Sequence, residues 1–364
     1  YGKRKIINEK GFTDSIHYAV IIITSDKPPS LVFLPNGNNL ENKFMNNYRS
    51  SIKHKQIDLD SYKEFWKPIK ERIPPGVKNI FLSADGVYNQ LNLYTLFNPE
   101  TGKYLIEEGE LRLLTYPVDI FSIKTQKHYD TKNKTALLVG NVHYEINTDI
   151  QSRSDEVQNF GLLPGTKKEI DNIKKILNAK GWECKTIESM DATKEAVMES
   201  TSSGYVHIAS HGLYISQNDM ANMAIHAIDT SLYSLNVLLK SGLVFAPLAK
   251  KGGNSVLTAY EIMNLNFQNT EMVVLSACET GLGDIDFGEG VYGLPRAFQT
   301  AGSNSVVMAL WKIDDEATQQ LMTYFYNYLE KSESKHLALK KAQLQLKEKY
   351  KHPYYWGSFV IVEK

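Results

Sequence analysis

The chain has 364 residues, more than a single compact core usually absorbs, and this length favours two domains. Its 41 basic and 41 acidic residues leave no net charge, which argues against nucleic acid as a direct partner because phosphate binding needs a basic surplus on one face. The longest apolar runs, such as residues 18–23, have the length of a strand and are too short to cross a bilayer, so no membrane segment is predicted.

Cysteine usage indicates a reducing compartment. The chain contains two cysteines, Cys184 and Cys278, whereas a disulfide scaffold would need a denser set. We therefore expect a cytoplasmic protein. Cys184 lies in a stretch predicted as a strand, where a cysteine behaves as a small packed hydrophobe.

The first half, residues 1–125, is predicted as one α/β domain. Two strands at residues 18–23 and 31–34 are joined by a proline-containing turn, which indicates a hairpin. Two helices are predicted at residues 40–53 and 61–72.

A further strand in this half ends in Ser83-Ala-Asp85-Gly86, an order of residue types that also ends two later strands. An internal duplication would explain the likeness. An ordinary junction between a strand and a turn is the simpler interpretation of Asp85 and Gly86. This half contains no cysteine, so a duplicated sheet here would be chemically silent.

The second domain, residues 126–364, begins within a lysine-rich linker at residues 125–134, and strands and helices alternate from residue 135 onwards. This alternation predicts a parallel sheet with right-handed crossovers. A capping box, Thr166-Lys-Lys-Glu169, is predicted to open its first helix. Residues 214–260 are predicted as an insertion that borders the functional site. The predicted strands of this domain lie at residues 136–139, 183–187, 205–209, 272–275, 305–311 and 357–362, and its later helices at residues 290–301, 314–331 and 333–351.

Two strands of this domain lead to chemically reactive residues. The strand at residues 205–209 is followed by His211, and the strand at residues 272–275 is followed by Cys278. Because carboxyl ends of parallel strands meet at one edge of an open α/β sheet, an imidazole and a thiol are expected together there. This pair is typical of a cysteine nucleophile with its proton carrier, and the backbone N–H groups of Gly212 and Cys278 are candidates to bind the oxyanion. The pattern predicts a cysteine peptidase.

Less specific interpretations stay open for these residues. Cys278 also fits a buried structural cysteine, and His211 a hydrogen-bonded core histidine. Zinc binding by His207 and His211 is disfavoured, because four residues of strand separate them by about 13 Å. A serine nucleophile is disfavoured because neither Ser210 nor Ser276 lies in a G-x-S-x-G elbow.

Acidic residues flank the second half of this domain. Asp314 and Asp315 precede an amphipathic helix and fit helix N-terminal charges. The alternative for Asp315 is the floor of a specificity pocket that pairs with a basic substrate side chain. Asp284, Asp286 and Glu289 fit solvated loop charges.

These motifs resemble those of a known family. The segments His211-Gly212 and Ser276-Ala-Cys-Glu-Thr-Gly281 are similar to the catalytic motifs of the CHAT domain, a caspase-fold family of clan CD cysteine peptidases related to separase. Further similar segments follow in the family's order and together span residues 135–364: Leu257-Thr-Ala-Tyr-Glu-Ile262, Gly288-Glu-Gly-Val-Tyr-Gly-Leu-Pro-Arg-Ala-Phe298, Ala309-Leu-Trp-Lys-Ile-Asp-Asp315 and His352-Pro-Tyr-Tyr-Trp-Gly-Ser-Phe359.

The resemblance implies a caspase-like, mostly parallel six-stranded sheet in the second domain and a pseudo-protease α/β fold in the first. By position, Cys278 takes the nucleophile's role and His211 the histidine's. Asp315 falls where separase-like proteins carry an acidic residue of the first specificity pocket, which implies cleavage after Arg or Lys.

The resemblance further implies an endopeptidase for specific protein substrates, latent until a partner or an upstream sensor module activates it, in bacterial defence or regulated cell death. The chain starts at Tyr1, and we expect an activating module upstream of it. The chemistry requires no metal and no organic cofactor. Two alternatives remain: a latent or inactive caspase-like protein-interaction module, and a cysteine hydrolase or acyltransferase that acts on other substrates.

Overall fold

The computed structural model describes most of the chain in twelve segments. These are residues 2–8, 11–125, 133–144, 160–200, 202–214, 241–247, 255–276, 278–279, 293–311, 314–329, 331–332 and 334–364. Residues 2–8, 11–14, 123–125, 214, 278 and 279 are described by their backbone alone. Of the residues described, no helix is both long and apolar enough to span a bilayer.

The strands are numbered in chain order. Their bounds are β1 Gly2–Asn8, β2 Gly11–Ile22, β3 Ser30–Leu34, β4 Asn79–Ser83, β5 Phe97–Asn98, β6 Lys103–Tyr104, β7 Glu110–Leu114, β8 Thr135–Val142, β9 Glu183–Ser189, β10 Tyr205–Ile208, β11 His211–Tyr214, β12 Ser241–Val244, β13 Val256–Thr258, β14 Met272–Leu275, β15 Cys278–Glu279, β16 Ser305–Ala309 and β17 Phe359–Glu363.

The α-helices are numbered in the same way. Their bounds are α1 Gly37–Asn39, α2 Met45–His54, α3 Lys67–Lys70, α4 Leu105–Glu108, α5 Asp119–Thr125, α6 Pro164–Ala179, α7 Lys194–Met198, α8 Ala259–Ile262, α9 Gly293–Thr300, α10 Asp315–Leu329, α11 Lys335–Lys349 and α12 Pro353–Trp356. Wider π-type turns occupy Leu40–Phe44 and Tyr62–Trp66, and 3-10 turns occupy Gly86–Gln90 and Leu93–Thr95.

The chain forms two compact units. The first comprises Tyr1–Thr125, Gln343–Ser358 and Glu363–Lys364. In it β1, β2 and β3 form an antiparallel sheet in that order, and β4 pairs with β7 in parallel. The β2–β3 pairing confirms the predicted hairpin. Its core is rich in aromatic residues, which include Tyr18, Tyr48, Phe65, Trp66 and Tyr88.

The second unit comprises Gln126–Ala342 and Phe359–Val362. Six strands of this unit lie side by side in the order β17-β16-β14-β10-β8-β9, and the four pairings from β16 to β9 are parallel. Each central strand is buried along its whole length, as expected for a sheet with helices on its faces. Helix α6 packs on β8 and β9, and α9 packs on β16. The predicted α/β class with a mostly parallel sheet is confirmed.

A smaller four-stranded sheet, in the order β13-β12-β11-β15, extends from the carboxyl ends of β10 and β14. Strand β11 pairs antiparallel with β12 and parallel with β15. Strands β12 and β13 belong to the predicted insertion and form an antiparallel pair. Residues 215–240 and 248–254 of this insertion lie outside the described residues.

The predicted capping box of α6 is wrong. The helix begins at Pro164, whose fixed φ suits a first helical turn, so Thr166 lies inside the helix. The Thr166 hydroxyl donates to the carbonyl of Leu163 at 2.7 Å and accepts from the N–H of Asn141 at 2.8 Å. Glu169, expected to cap the helix start, is 3% exposed in the core.

Candidate active site

The site lies where three adjacent parallel strands end. In the sheet, β10 lies between β8 and β14, and the strand order reverses between β8 and β10. A reversal of this kind opens a crevice at the carboxyl ends of the two strands. Tyr144 follows the end of β8, His211 follows β10, and Cys278 follows β14.

The backbone brings the two predicted catalytic residues side by side. Ile208 at the end of β10 pairs with Leu275 at the end of β14. The parallel register is kept beyond these strands, where His211 of β11 pairs with Cys278 of β15. Neighbouring strands are about 4.8 Å apart, so the two backbones lie within reach of a side-chain contact. Gly212 is the next residue of β11 and pairs with Glu279.

The His211 imidazole is buried and fixed by a loop that precedes α6. Its Nε2 lies 2.7 Å from the carbonyl oxygen of Gly161, and the residue is 4% exposed. A carbonyl oxygen only accepts, so Nε2 carries a hydrogen and donates it. Nδ1 is then the nitrogen that can exchange a proton with a neighbouring group.

Two aromatic rings flank this imidazole. The Tyr144 ring centroid lies 4.8 Å from that of His211, and the Phe160 centroid lies 5.3 Å from it. Ring contacts at these distances hold the imidazole in position. Tyr144, Phe160 and Gly161 were not predicted as site residues, since they are far from His211 in sequence and carry no motif.

Ser210 is held by hydrogen bonds and fits a structural role. It is fully buried, its hydroxyl donates to the carbonyl of Val244, and it lies 3.2 Å from the Tyr144 hydroxyl. Burial raises the pKa of Tyr144 to about 12, partly offset by its hydrogen bonds with Ser210 and with the His211 backbone. The phenol is therefore protonated at neutral pH and holds its ring against His211 without adding a charge.

Asp315 is exposed at the start of α10 and lies against the first turn of α6. The Asp314 side chain caps α10, accepting from the N–H groups of Glu316 at 3.0 Å and Ala317 at 3.2 Å. A Cβ on Gly165 would come 2.8 Å from a carboxylate oxygen of Asp315. The predicted N-terminal charge of Asp314 is thus confirmed, and Asp315 remains open to solvent. Asp284, Asp286 and Glu289 lie outside the described residues.

Cys184 and His207, the two remaining candidate residues, lie in different strands of the sheet. Cys184 lies in β9, as predicted, and burial raises the pKa of its thiol, which disfavours a reactive thiolate. His207 lies in β10 with its nitrogens directed at Glu169 and Tyr326, and not at His211.

These features define an α/β protein with a histidine and a cysteine in register at the carboxyl edge of a parallel sheet. The chain belongs to the CHAT-domain family, whose model matches residues 61–364. The motifs quoted from the sequence lie within this match, so the predicted family membership is confirmed.

Similar proteins include a mammalian repeat protein. Tetratricopeptide repeat protein 28 of Mus musculus is 25% identical over 258 residues, and that of Homo sapiens is 22% identical over 311 residues. These matches cover 66% and 78% of this chain, and the chain spans only 10% and 12% of the length of these relatives.

Solved structures of cysteine proteinases also superpose on this chain. The Arg-specific cysteine proteinase gingipain R aligns with a TM-score of 0.49 and 11% identity, over 90% of this chain and 75% of that chain. The complex of the Porphyromonas gingivalis RgpB pro- and mature domains aligns with a TM-score of 0.48 and 12% identity, over 90% and 76%.

Proposed function

We propose that this chain is a cysteine endopeptidase that cleaves specific protein substrates through Cys278 and His211. The observation that carries the proposal is the parallel register of these two residues at the ends of neighbouring strands. Residues 126–364 form the catalytic domain in this proposal, and residues 1–125 form a domain without catalytic residues.

In this mechanism, the Cys278 thiol transfers its proton to Nδ1 of His211 and the thiolate attacks the scissile carbonyl carbon. The carbonyl oxygen becomes an oxyanion, which accepts hydrogen bonds from the backbone N–H groups of Gly212 and Cys278. His211 then gives its proton to the leaving amine, and the peptide bond breaks to leave an acyl-thioester. Water attacks the thioester as His211 takes its proton, and the released thiolate regains a proton.

The Gly161 carbonyl has a defined part in this sequence of steps. By accepting from Nε2, it keeps Nδ1 available for the thiol proton and stabilises the imidazolium that forms. The rings of Tyr144 and Phe160 exclude water from one side of the imidazole and hold it in position.

Asp315 is proposed as an acidic residue of the pocket that binds the side chain before the cleaved bond. Gly161 accepts from His211, and Gly165 lies against Asp315. Because these glycines are four positions apart in the chain, their Cα atoms are separated by at most about 14 Å. The Asp315 carboxylate is exposed at the start of α10, which supports its access to a substrate side chain. We therefore propose a preference for Arg or Lys at that position.

The proposed setting is a cytoplasmic protein with an activating module or partner. This chain corresponds to about a tenth of tetratricopeptide repeat relatives, in which much other sequence is available for regulation. A role in bacterial defence or regulated cell death stays a prediction. The names of those relatives favour a second candidate function, that of a latent or inactive protein-interaction module.

The first experiment compares the wild-type chain with Cys278→Ala on a proteome-derived peptide library, sequencing every new N-terminus. Cys184→Ala is the matched control, because it removes the other cysteine. Cleavage by wild type and Cys184→Ala, and none by Cys278→Ala, would support the peptidase. Equal cleavage by all three chains would overturn it, and cleavage after apolar residues would discard the role of Asp315.

Absence of cleavage by every chain would favour the interaction module. The same comparison is then made with the full-length protein and its binding partners. Cleavage restored only in the chain with an intact Cys278 would favour a latent peptidase, and no cleavage would favour the inactive module.

A further inference from the structure

A second group of polar side chains lies buried beneath the candidate site. Glu169 of α6, His207 of β10 and Tyr326 of α10 are 3%, 0% and 0% exposed. His207 Nε2 lies 3.0 Å from Glu169 Oε1, and His207 Nδ1 lies 3.2 Å from the Tyr326 hydroxyl. We call these three residues the core triad.

The hydrogens of the core triad follow from its chemistry. Burial raises the pKa of Tyr326 well above its ordinary value, so its phenol keeps its proton and donates to Nδ1. Nε2 of His207 then carries the other hydrogen and donates to the Glu169 carboxylate. Each member of the core triad thus has a partner inside the core.

Such a group is costly to place in a core. Burying a carboxylate and an imidazole loses their hydration, and apolar residues of similar volume often give equal or greater stability. A buried polar network does fix one arrangement of the elements that carry it, because each hydrogen bond is lost if an element shifts. The core triad therefore joins α6, β10 and α10 in one arrangement.

Each of these elements leads to one part of the candidate site. The loop before α6 supplies the Gly161 carbonyl that accepts from His211. Strand β10 leads into His211, four residues after His207. Helix α10 begins at Asp315.

Helices α6 and α10 are also linked near the site. The Gln319 amide donates to the Gly165 carbonyl at 3.2 Å, and Asp315 packs against the same glycine. Gln319 and Tyr326 lie about two turns apart along α10, so the link at Gly165 and the core triad together fix both the distance and the tilt between the helices.

From this arrangement we infer that Glu169, His207 and Tyr326 are positioning residues, which set the placement of the His211 imidazole and of the Gly161 carbonyl relative to each other. The inference rests on the proposed function for its catalytic meaning. The geometric part, that the core triad positions His211, is testable without any substrate.

The principal test removes one hydroxyl. Tyr326→Phe keeps the ring and deletes the hydrogen bond to His207. Tyr48→Phe is the matched control, because Tyr48 is 1% exposed and its hydroxyl lies 2.8 Å from Thr95 Oγ1 in the other unit. Both variants are made in a Cys184→Ala background, which leaves Cys278 as the single thiol.

The first readout is the rate at which iodoacetamide alkylates Cys278. The melting temperature and, on a cleaved peptide, kcat and KM are measured for the same variants. We expect Tyr326→Phe to lower the alkylation rate and kcat by about fivefold or more with little change in KM, because small misplacements of a reacting group are costly. Tyr48→Phe is expected to change the melting temperature only. Equal effects of the two variants on alkylation would overturn the inference.

A second pair of variants tests the carboxylate. Glu169→Gln keeps an oxygen that accepts from Nε2 of His207, whereas Glu169→Leu removes it. We expect Glu169→Gln to retain most of the alkylation rate and Glu169→Leu to lose it. Equal rates in the two variants would contradict a positioning role for this residue.

The second readout separates this inference from the proposed function. The ring Cε1–H resonance of His211, assigned by its loss in His211→Gln, reports the environment of the imidazole directly. A shift in Tyr326→Phe that is absent in Tyr48→Phe supports the core triad even if no peptide is cleaved. An unchanged resonance overturns the core triad even if the peptidase is active.

Discussion

Two strand ends in this chain have similar sequences and different structures. Strand β4 leads through Ser83-Ala-Asp85-Gly86, and β10 leads through Ala209-Ser-His211-Gly212. After β4 the chain turns into the 3-10 segment Gly86–Gln90, whereas after β10 it continues as the strand β11. The first strand end is therefore a turn, whereas the backbone after the second pairs with two further strands, β12 and β15.

The glycines show the cause of this difference. Gly86 has a φ of +56°, and a Cβ there would lie 2.3 Å from the hydroxyl of the buried Tyr18. That hydroxyl accepts from the N–H of Val87 at 2.9 Å, which fixes the turn. Gly212 instead pairs with Leu243 on one side and Glu279 on the other.

A tyrosine lies beside each strand end: the buried Tyr18 beside the first and the half-buried Tyr144 beside the second. Tyr18 fills the space above Gly86 and donates to Glu41 at 2.6 Å. Tyr144 lies beside His211 and bonds to Ser210. The pattern of small, polar and glycine residues therefore marks where a strand ends, and the pairing of the next segment decides whether a site forms. Asp85 and Gly86 form an ordinary strand-to-turn junction, in agreement with the simpler interpretation of their sequence.

The largest expected effect concerns the polar residues of the two strand ends, His211 and Asp85. We expect His211→Ala to lower kcat/KM by roughly 10²- to 10⁴-fold, the usual contribution of a general acid–base. Asp85→Ala should leave kcat/KM unchanged, because the Asp85 carboxylate accepts from the N–H of Gly86 and so serves the turn itself. Steady-state kinetics on one cleaved peptide measure both. A comparable loss in Asp85→Ala would mean that the first strand end also takes part in catalysis.

The second-largest expected effect concerns the stability of the turn at Gly86. Gly86→Ala is expected to lower the free energy of unfolding by about 3 kcal/mol or more, because a left-handed backbone and a clash with a buried ring act together. Gly102 has a φ of +68°, and a Cβ there would have no neighbouring atom within 4 Å, so Gly102→Ala isolates the backbone cost. That cost is expected to be about 1 kcal/mol.

Urea unfolding followed by circular dichroism gives both free energies. Equal losses in the two variants would show that Tyr18 yields to the added methyl group and that packing does not enforce the turn.

A smaller effect concerns the ring beside the histidine. Tyr144→Leu removes the aromatic face from His211 and is expected to lower kcat by about tenfold, because the imidazole is less well held. Tyr144→Phe keeps the ring 4.8 Å from His211 and should lower kcat much less. Identical kinetics of the Leu and Phe variants would show that the ring has no part in positioning His211.

The smallest effect is the alkaline pH dependence of stability. The pKa of Tyr144 is about 12 in the folded chain and about 10 when exposed, so the folded state holds this proton more tightly. The stabilisation is complete below pH 10 and is lost as the pH rises towards 12. At about pH 11, the free energy of unfolding should have fallen by about 1 kcal/mol through the ionisation of Tyr144, and Tyr144→Phe should not show this fall.

This difference is measured by urea unfolding of the two chains between about pH 9 and pH 11, a range chosen to bracket the ordinary tyrosine pKa. Subtracting the two curves removes the contribution of the other tyrosines, which are the same in both chains. Parallel curves would show that Tyr144 ionises as readily in the folded chain as in the unfolded one.

The sequence by itself determined the order of strands and helices along the chain and the two residues with reactive side chains. Apolar runs of strand length alternate with helical stretches in the second unit, and burial on both faces forces such runs into a parallel sheet. Carboxyl ends of parallel strands share one edge, so His211 and Cys278 were predictable as neighbours from their positions after two strands. The end of α6 was also predictable, because Gly181 follows it and has a φ of +78°.

Only the tertiary structure decided the surroundings of the histidine. Gly161 contributes a backbone carbonyl, which any residue type carries, so no sequence pattern marks it. Glu169 and Thr166 fit a capping box locally, yet Pro164 starts the helix earlier and Glu169 turns into the core towards His207. Contacts of this kind join residues 38 and 50 positions apart. They arise when elements pack, and local propensity carries no information about which partners will meet.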